Sequence, residues 1–204
     1  MDRLFPPMLY LISVIFCISI FTALPILAIS TAAAAAKIAY VNYVKAACNS
    51  VTYPPLCYAS CSPYAYKIKK SPLKLANYAT ISALSAAKNA DTMVARLAKL
   101  QGITSFDAAT IRDCIEVVGD GIYELRQSMK QMATLGQGNH TVLEMAMSNV
   151  KTWMSAALTD EDTCMDGVGN SRVDMAVRSK IRGRIVAVAE LTSNALALIN
   201  QLPV

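Results

Sequence analysis

The chain has 204 residues, of which 54% are hydrophobic, and a formal net charge of +5. A charge excess this small, carried by basic residues scattered along the chain, argues against a nucleic-acid-binding protein. The length fits one globular domain with a core of its own. Lys67, Lys69 and Lys70 form the one basic cluster; a solvated surface is the favoured interpretation of the basic residues, and an acidic partner or a polyanionic wall is the alternative.

The N-terminal residues resemble a secretion signal. Arg3 gives a short basic region, residues 8–29 are almost wholly apolar, and the alanines at 34–36 fit an A-x-A cleavage site. A retained membrane anchor is the alternative, because the apolar run is long enough to cross a bilayer. Pro25 and the alanines favour cleavage. Residues 1–36 are therefore predicted to be a signal peptide, and the mature protein to be extracellular without membrane association.

Five of the six cysteines lie beyond this signal, and secretion favours disulfide formation. These five are Cys48, Cys57, Cys61, Cys114 and Cys164. An odd number leaves one thiol unpaired, and the spacing alone does not select the pairing.

In the mature part, apolar residues recur at steps of three and four, which predicts amphipathic helices rather than strands. The four predicted helices cover about 71–101, 105–135, 139–164 and 171 to nearly the end of the chain. Their predicted N-terminal caps include Ser71 before Pro72, Thr104 with Asp107, and Ser171 with Asp174. Four such helices with short glycine-bearing links predict an all-α, up-down-up-down four-helix bundle.

The apolar stripes define the predicted core. The second helix has a strict heptad seam, consisting of Ile111, Ile115, Val118, Ile122, Leu125, Met129 and Met132. The predicted core face of the third helix consists of Val142, Ala146, Val150, Trp153 and Ala157. The glycines at 167 and 169 are expected to break this third helix. The first helix presents mainly alanines, which favours close packing over an internal cavity.

Residues 37–70 differ from the rest because they are rich in tyrosine and proline and hold three cysteines. This segment is predicted to be a helical hairpin, which has too little apolar surface to fold alone. The predicted organisation is thus a signal peptide over 1–36, an N-terminal helical hairpin over 37–70 and a four-helix bundle over 71–204. Residues 37–204 together form one domain.

No catalytic constellation can be assembled from these residues. The chain has one histidine, His140, and contains neither a G-x-S-x-G motif nor a glycine-rich phosphate loop. The cysteine spacings do not match the usual zinc sites, and the acidic residues over 160–166 lack the glycine position of an EF-hand. The sequence therefore predicts a protein that is not an enzyme and that has no metal or cofactor.

An acidic stripe is predicted on the second helix, on the side away from its seam. It consists of Asp113, Glu116, Asp120 and Glu124. A solvated face is the simpler interpretation, but acids this far from the helix start gain little from its dipole. Gly119 and Gly121 interrupt the same helix at about 1 kcal/mol each, a cost that close approach of a neighbouring backbone could offset. Local flexibility of the helix at these glycines is the alternative.

Residues 139–141 form an Asn-His-Thr acceptor sequence for N-glycosylation in a chain that should pass the secretory route. Asn139 is equally suited to cap the third helix. A glycan on Asn139 would compete with that capping role, so both interpretations stay open.

Three segments resemble the plant pectin methylesterase and invertase inhibitor family. Residues 48–57 resemble its C-x-x-T-x-Y-P-x-x-C opening, and residues 113–120 resemble its D-C-x-E-x-Y-x-D signature. Residues 146–164 resemble its third helix, with a T-W-x-S-A-A-L-T…T-C run. The similarity spans the whole mature chain.

The resemblance implies a bundle with an N-terminal helical hairpin and a specific disulfide pairing. It implies that Cys48 pairs with Cys57, that Cys114 pairs with Cys164 and that Cys61 stays a free thiol. It also implies a one-to-one complex in which a monomer lays its bundle helices across the target enzyme's substrate cleft. The block is steric and involves no covalent chemistry.

The positions that match the family's enzyme-contacting residues are Glu116, Asp120 and Thr163. We add Asp113, Tyr123 and Glu124 as further expected target contacts because they lie close by on the same helix. The chain departs from the family pattern at Val118, where tyrosine is usual, at Gly121, where alanine is usual, and at Tyr123, a place that can hold another acid. These departures bear on affinity and on the choice of enzyme.

Pectin methylesterase is the favoured target. The invertase inhibitors carry a Pro-Lys-Phe motif near the start of the third helix, where residues 139–143 here read Asn-His-Thr-Val-Leu. Acid invertase is the first alternative. A secreted structural or ligand-carrying bundle without inhibitory activity is the second, and a large internal apolar cavity would favour it.

Overall fold

A computed structural model describes residues 34–135 and 139–203, and within these ranges the chain is helical with no strand. The helices are α1 (34–48), α2 (Pro54–Cys61), α3 (Ala65–Ile68), α4 (Pro72–Leu97), α5 (Ser105–Met132), α6 (His140–Gly169) and α7 (Met175–Asn200), and a 3₁₀ turn at Ser62–Tyr64 separates α2 from α3. The predicted fold class, an all-α four-helix bundle with a helical N-terminal extension, is confirmed.

The predicted signal peptide lies outside the described residues, except that residues 34–36 begin α1. The proposed boundaries between signal, hairpin and bundle therefore stay predictions. None of the helices in the described ranges has the length and apolarity needed to cross a membrane.

The bundle consists of α4 to α7. The extensive contacts join α4 to α5, α5 to α6, α6 to α7 and α7 back to α4, so α5 and α7 lie diagonally across the bundle. The heptad seam of α5 faces inward as predicted, with Ile111, Val118 and Leu125 fully buried. On α4 the buried side chains are mostly alanines, which lets the neighbouring helices approach its backbone closely.

The helix caps explain where two bundle helices begin. The Ser71 hydroxyl accepts a hydrogen bond from the Lys74 N–H at 3.3 Å. The Thr104 hydroxyl accepts one from the Asp107 N–H at 3.0 Å and donates to the Asp107 carboxylate at 2.8 Å. These bonds satisfy N–H groups that have no partner within the helix, and they confirm both predicted caps.

The predicted start of α7 is wrong by several residues. Asp174, rather than Ser171, is the N-cap, and its carboxylate accepts hydrogen bonds from the N–H groups of Ala176 and Val177. The N–H of Asp174 in turn donates to Asp107 at 3.0 Å, which ties the start of α7 to the start of α5. The residues before this cap form a turn, in which the Val173 N–H donates to the Asn170 carbonyl oxygen at 3.0 Å.

The predicted end and core face of α6 also need correction. The helix continues past Gly167 to Gly169, because Cys164 and Val168 are buried on its inner face and hold the last turns in place. Val142 is 50% exposed and Trp153 is only half-buried, so neither belongs to the core. Their places are taken by other buried residues of the helix, which are Met147, Met154 and Glu161.

The N-terminal extension is crosslinked within itself and hydrogen-bonded to Ser193, Asn194 and Gln201 at the C-terminal end of the chain. The Cys48–Cys57 disulfide joins α1 to α2, and the buried Asn194 of α7 binds both backbone groups of Tyr53 at 2.8 and 2.9 Å. Ser50 donates from its hydroxyl to the side-chain oxygen of Gln201 at 3.1 Å. The start of the described chain is thus held against its end.

Two glycines give opposite stability predictions. A Cβ at Gly119, in the middle of α5, would meet nothing within 4 Å, so Gly119→Ala should stabilise the protein by about 1 kcal/mol through helix propensity. Gly102 has a φ of +81°, so Gly102→Ala should destabilise it by roughly 1 kcal/mol although the space is open. Urea unfolding of the two variants measures both changes in the free energy of unfolding. A change in the same direction for both variants would contradict this account.

Candidate functional site

The exposed sides of α5 and α6 around the Cys114–Cys164 disulfide form what we call the α5–α6 surface. The disulfide brings the two Cα atoms to 4.6 Å and connects residues 50 positions apart. Both helices are long and capped, so the side chains on this surface stand on a rigid support. Together with Cys48–Cys57 and the buried free thiol of Cys61, this is the same pairing that the family resemblance implies.

A shallow groove of about 90 Å³ runs between α5 and α6 over this disulfide. Asp113 lines it from α5, and Thr163 lines it from α6. The Thr163 hydroxyl donates to the Thr159 carbonyl at 2.7 Å, so its oxygen remains able to accept a hydrogen bond from a partner. Two of the predicted contact residues, which lie far apart in the sequence, are thus side by side.

Three of the four residues in the predicted acidic stripe are exposed, namely Asp113, Glu116 and Asp120. None of the three forms an ion pair with a lysine, arginine or histidine in the described part of the chain. Their negative charge is therefore available to an incoming partner rather than neutralised within the protein.

Glu124 departs from the solvated stripe. It is half-buried between α5 and α6 and faces Asp160 of α6, and one buried oxygen of each carboxyl group gains a hydrogen-bond partner only if the two groups share a proton. Burial, the hydrogen bond with Asp160 and the charges of Asp160 and Asp120 raise the pKa of Glu124 to about 7. Burial also raises the pKa of Asp160. Two facing carboxyl groups that share one proton avoid the repulsion of two buried charges.

An aromatic pair lies next to these acids. Tyr123 is 54% exposed, and its ring meets the ring of Trp153 edge-on, with centroids 6.2 Å apart and an interplanar angle of 88°. The sequence interpretation placed Trp153 in the core and so missed this pair. Exposed aromatic rings are common anchors in protein interfaces, because they supply a large contact area at low entropic cost.

Gly121 explains how α5 and α6 come so close. A Cβ at this position would lie 3.6 Å from both the Ala157 carbonyl oxygen and the Asp160 Cβ. The close approach expected for the two glycines of α5 therefore occurs at Gly121 and not at Gly119. It is this approach that brings Glu124 within reach of Asp160.

A buried carboxyl group lies beneath the surface, on the core side of α6. Glu161 is 2% exposed, and it accepts a hydrogen bond of 2.8 Å from the Thr192 hydroxyl of α7. Burial raises the pKa of Glu161 to about 8 despite that hydrogen bond, with a further push from the nearby Asp162 and Asp160. Its second oxygen has no hydrogen-bond partner, so the neutral form is favoured at pH 7.

Asn139 caps α6 by accepting a hydrogen bond of 3.1 Å from the Val142 N–H through its side-chain oxygen. Asn139 is exposed, and its side-chain nitrogen, where a glycan would be attached, does not serve the cap. Capping and glycosylation at Asn139 are thus compatible, and the glycan stays a prediction.

An apolar pocket of about 280 Å³ lies at one end of the bundle. It is lined by helix ends and the residues next to them, which are Ser71, Pro72, Leu73, Leu135, Leu143, Met147, Leu202 and Pro203. It does not lie between the core faces of the helices, where a carried ligand would be enclosed. The described residues contain no cluster of side chains that could hold a metal ion.

The described residues thus form a disulfide-linked helical bundle with an exposed acidic surface on α5. The family model for "Plant invertase/pectin methylesterase inhibitor" matches residues 42–198. The chain belongs to the plant invertase/pectin methylesterase inhibitor family. Because this is a family of inhibitors, the prediction that the protein is not an enzyme is confirmed.

The similar proteins are plant proteins. "Pectinesterase inhibitor 10" of Arabidopsis thaliana is 43% identical over 159 residues, which cover 78% of this chain and 50% of that protein. The "21 kDa protein" of Daucus carota is 39% identical over 181 residues, which cover 89% and 92% of the two chains. The chain thus spans half the length of the first relative and nearly all of the second.

A crystal structure of a mutant pectin methylesterase inhibitor from Arabidopsis has the same fold. The TM-score is 0.57 at 21% sequence identity, and the match covers 76% of this chain and 94% of that one. The likeness supports the bundle architecture and leaves the contact residues of the α5–α6 surface as predictions.

Proposed function

We propose that this protein is an extracellular inhibitor of pectin methylesterase that forms a one-to-one complex and covers the enzyme's substrate cleft with its α5–α6 surface. Relatives named pectinesterase inhibitors support the kind of target. The observation that carries the choice of surface is the exposed acidic row of Asp113, Glu116 and Asp120, which has no ion-pair partner within the described chain.

The mechanism is steric exclusion by a surface that is already in its binding shape. The Cys114–Cys164 disulfide and the close approach at Gly121 fix α5 against α6, so little conformational entropy is lost when the partner docks. The acidic row attracts a positively charged rim, and the Tyr123–Trp153 pair supplies apolar contact area beside it.

The direct test is a titration of purified protein against both enzyme classes. Activity of pectin methylesterase should fall linearly and reach its minimum near one equivalent of inhibitor, while acid invertase should keep its activity. Sucrose hydrolysis that falls instead would favour the invertase alternative. Loss of neither activity would leave the non-inhibitory bundle as the better hypothesis.

Secretion and glycosylation complete the proposal. We infer that the apolar segment before residue 37 directs export and is removed, and that Asn139 carries a glycan. Asn139 lies at the start of α6, whereas Thr163 and Cys164 lie near its end, so a glycan there would leave the α5–α6 surface free. Mass measurement of the secreted protein before and after glycosidase treatment tests both points.

Inhibition should depend on pH through Glu124 and Asp160. Docking would bury this half-exposed pair further, which penalises its charged form, so affinity should fall as the pH rises through about 7, the pKa of Glu124. In Glu124→Gln this step should disappear, because an uncharged amide replaces the titrating carboxyl. Inhibition constants measured across this pH range check the prediction, and an unchanged profile in Glu124→Gln would refute it.

A further inference from the structure

The first half of α7 carries a second charged surface that the α5–α6 surface does not use. Lys180, Arg182 and Arg184 are all exposed, and no acidic residue occurs between Met175 and Ala187. We call these three side chains the α7 basic face. The sequence interpretation overlooked it, since the three residues alternate with apolar and small ones and do not form a run.

These cations have no partner within the protein. None of the three forms an ion pair with an acidic side chain of the described residues. The neighbouring Arg178 differs, because its guanidinium donates to the carbonyl oxygens of Asn170 and Val173 and thereby holds the turn before the helix. The α7 basic face is therefore free for an external anion, whereas Arg178 has a structural role.

The three side chains border an open strip along the helix. At 100° per residue, Lys180 and Arg184 fall about 40° apart on one edge of the exposed side, and Arg182 falls on the other edge. The exposed residues in the middle of this strip are small, namely Ala176, Ser179, Gly183 and Ala187, and the exposed Met175 and the half-buried Glu190 lie at its two ends. A Cβ at Gly183 would meet nothing within 4 Å, so an extended chain could lie against the helix there.

The α7 basic face lies on a different helix from the acidic row of α5, because α7 lies diagonally opposite α5 in the bundle and packs beside α6. An inhibitor docked through its acidic side would thus leave its basic side exposed. The two surfaces can be occupied at the same time.

We propose that the α7 basic face binds an acidic polysaccharide, a chain of sugars that carry free carboxylates. The choice of this polyanion rests on the proposed function, because a pectin methylesterase hydrolyses methyl esters and leaves carboxylates on its polymer. The α7 basic face would then hold the inhibitor on polymer that the enzyme has already processed. Charge complementarity carries the interaction, so it weakens as salt is added.

Binding to immobilised polygalacturonic acid, measured without any enzyme, tests the proposal. The wild-type protein should bind it and should bind highly methyl-esterified pectin much more weakly. The triple variant Lys180→Gln, Arg182→Gln, Arg184→Gln should lose about tenfold in affinity, which is the effect of three exposed charge contacts. Gly183→Phe, which blocks the strip without changing charge, should also weaken binding.

The matched control is Lys67→Gln, Lys69→Gln, Lys70→Gln, which removes the same charge from the N-terminal extension and should bind like the wild type. Equal losses in the two triple variants would show attraction by net charge alone and overturn the proposal. The proposal would also be overturned if the wild-type protein bound vesicles of anionic lipid as tightly as polygalacturonic acid, or if it self-associated through the α7 basic face in a salt-sensitive way. The α7 triple variant should inhibit pectin methylesterase like the wild type. Because inhibition and polysaccharide binding are measured separately, a failure of the polysaccharide proposal can be distinguished from a failure of the proposed inhibitory function.

Discussion

Reversing two charges on the α5–α6 surface, with Glu116→Lys and Asp120→Lys together, should weaken inhibition of pectin methylesterase about a hundredfold or more. Both side chains are exposed and have no ion-pair partner within the described residues, so their replacement leaves no orphaned partner behind. The loss should come from repulsion of the cationic rim that these acids are proposed to meet. Residual esterase activity, measured as a function of inhibitor concentration for the wild type and the double variant, gives the two inhibition constants to compare.

A control with the same change in net charge separates this local effect from a general one. Glu144→Lys with Glu190→Lys places the new cations near the start of α6 and on α7, away from the acidic row. This control should inhibit like the wild type, and circular dichroism should show the same helicity for both double variants. If the Glu116 and Asp120 variant inhibits as well as the control, the surface assignment is wrong.

The second large effect is on stability and comes from Glu161. Its pKa is raised from 4.5 when the chain is unfolded to about 8 in the folded protein, so the folded state binds more protons between these values. The contribution of Glu161 to stability is therefore greatest below about pH 4.5, declines as the pH rises and levels off above about pH 8. The raised pKa corresponds to roughly 4 to 5 kcal/mol over the whole interval.

Glu161→Gln should remove most of this decline. The glutamine amide oxygen can still accept the hydrogen bond from Thr192, and it carries no charge to bury. Urea unfolding at several pH values between about 5 and about 8 should give a shallower profile for the variant, with the remaining decline below about pH 7 due to the raised pKa of Glu124. Glu190→Gln, which removes a half-buried carboxylate from α7, is the control and should keep the wild-type slope; a similar slope in Glu161→Gln would contradict the assignment.

The parts of the fold that could be predicted are those set by local periodicity. The seam of α5 and the caps at Ser71 and Thr104 follow from spacings of three and four residues and from side chains that bond their own helix. The start of α7 could not be decided in this way, since both Ser171 and Asp174 are good N-caps. The choice depends on a hydrogen bond from Asp174 to Asp107, which is 67 residues away.

The inner face of α6 was misjudged because polarity and burial disagree there. Trp153 has the larger side chain, yet Met154 is buried and Trp153 packs outward on Tyr123. Glu161 is charged in water and still lies inside, where Thr192 bonds it. The apolar pattern of a single helix predicts burial from the polarity of each residue alone. It does not include the effect of a partner on another helix.

Only part of the contact surface could be predicted from the sequence, because some of its features depend on the packing between helices. The outward direction of Glu116 and Asp120 follows from the position of the α5 seam. The pairing of Glu124 with Asp160 depends on the register between α5 and α6, which a disulfide and a glycine contact fix in three dimensions. No spacing within either helix encodes that register.

The hydrogen bonds from Tyr53 to Asn194, a separation of 141 residues, have a consequence for biosynthesis. Cys48 and Cys57 are only nine positions apart, so their bridge can close while the ribosome is still translating the chain. The hydrogen bonds from Tyr53 form late, because α7 emerges at the end of translation. A nascent chain halted before Asn194 would therefore hold its N-terminal segment only through the disulfide and the contacts of α2 and α3 with α4.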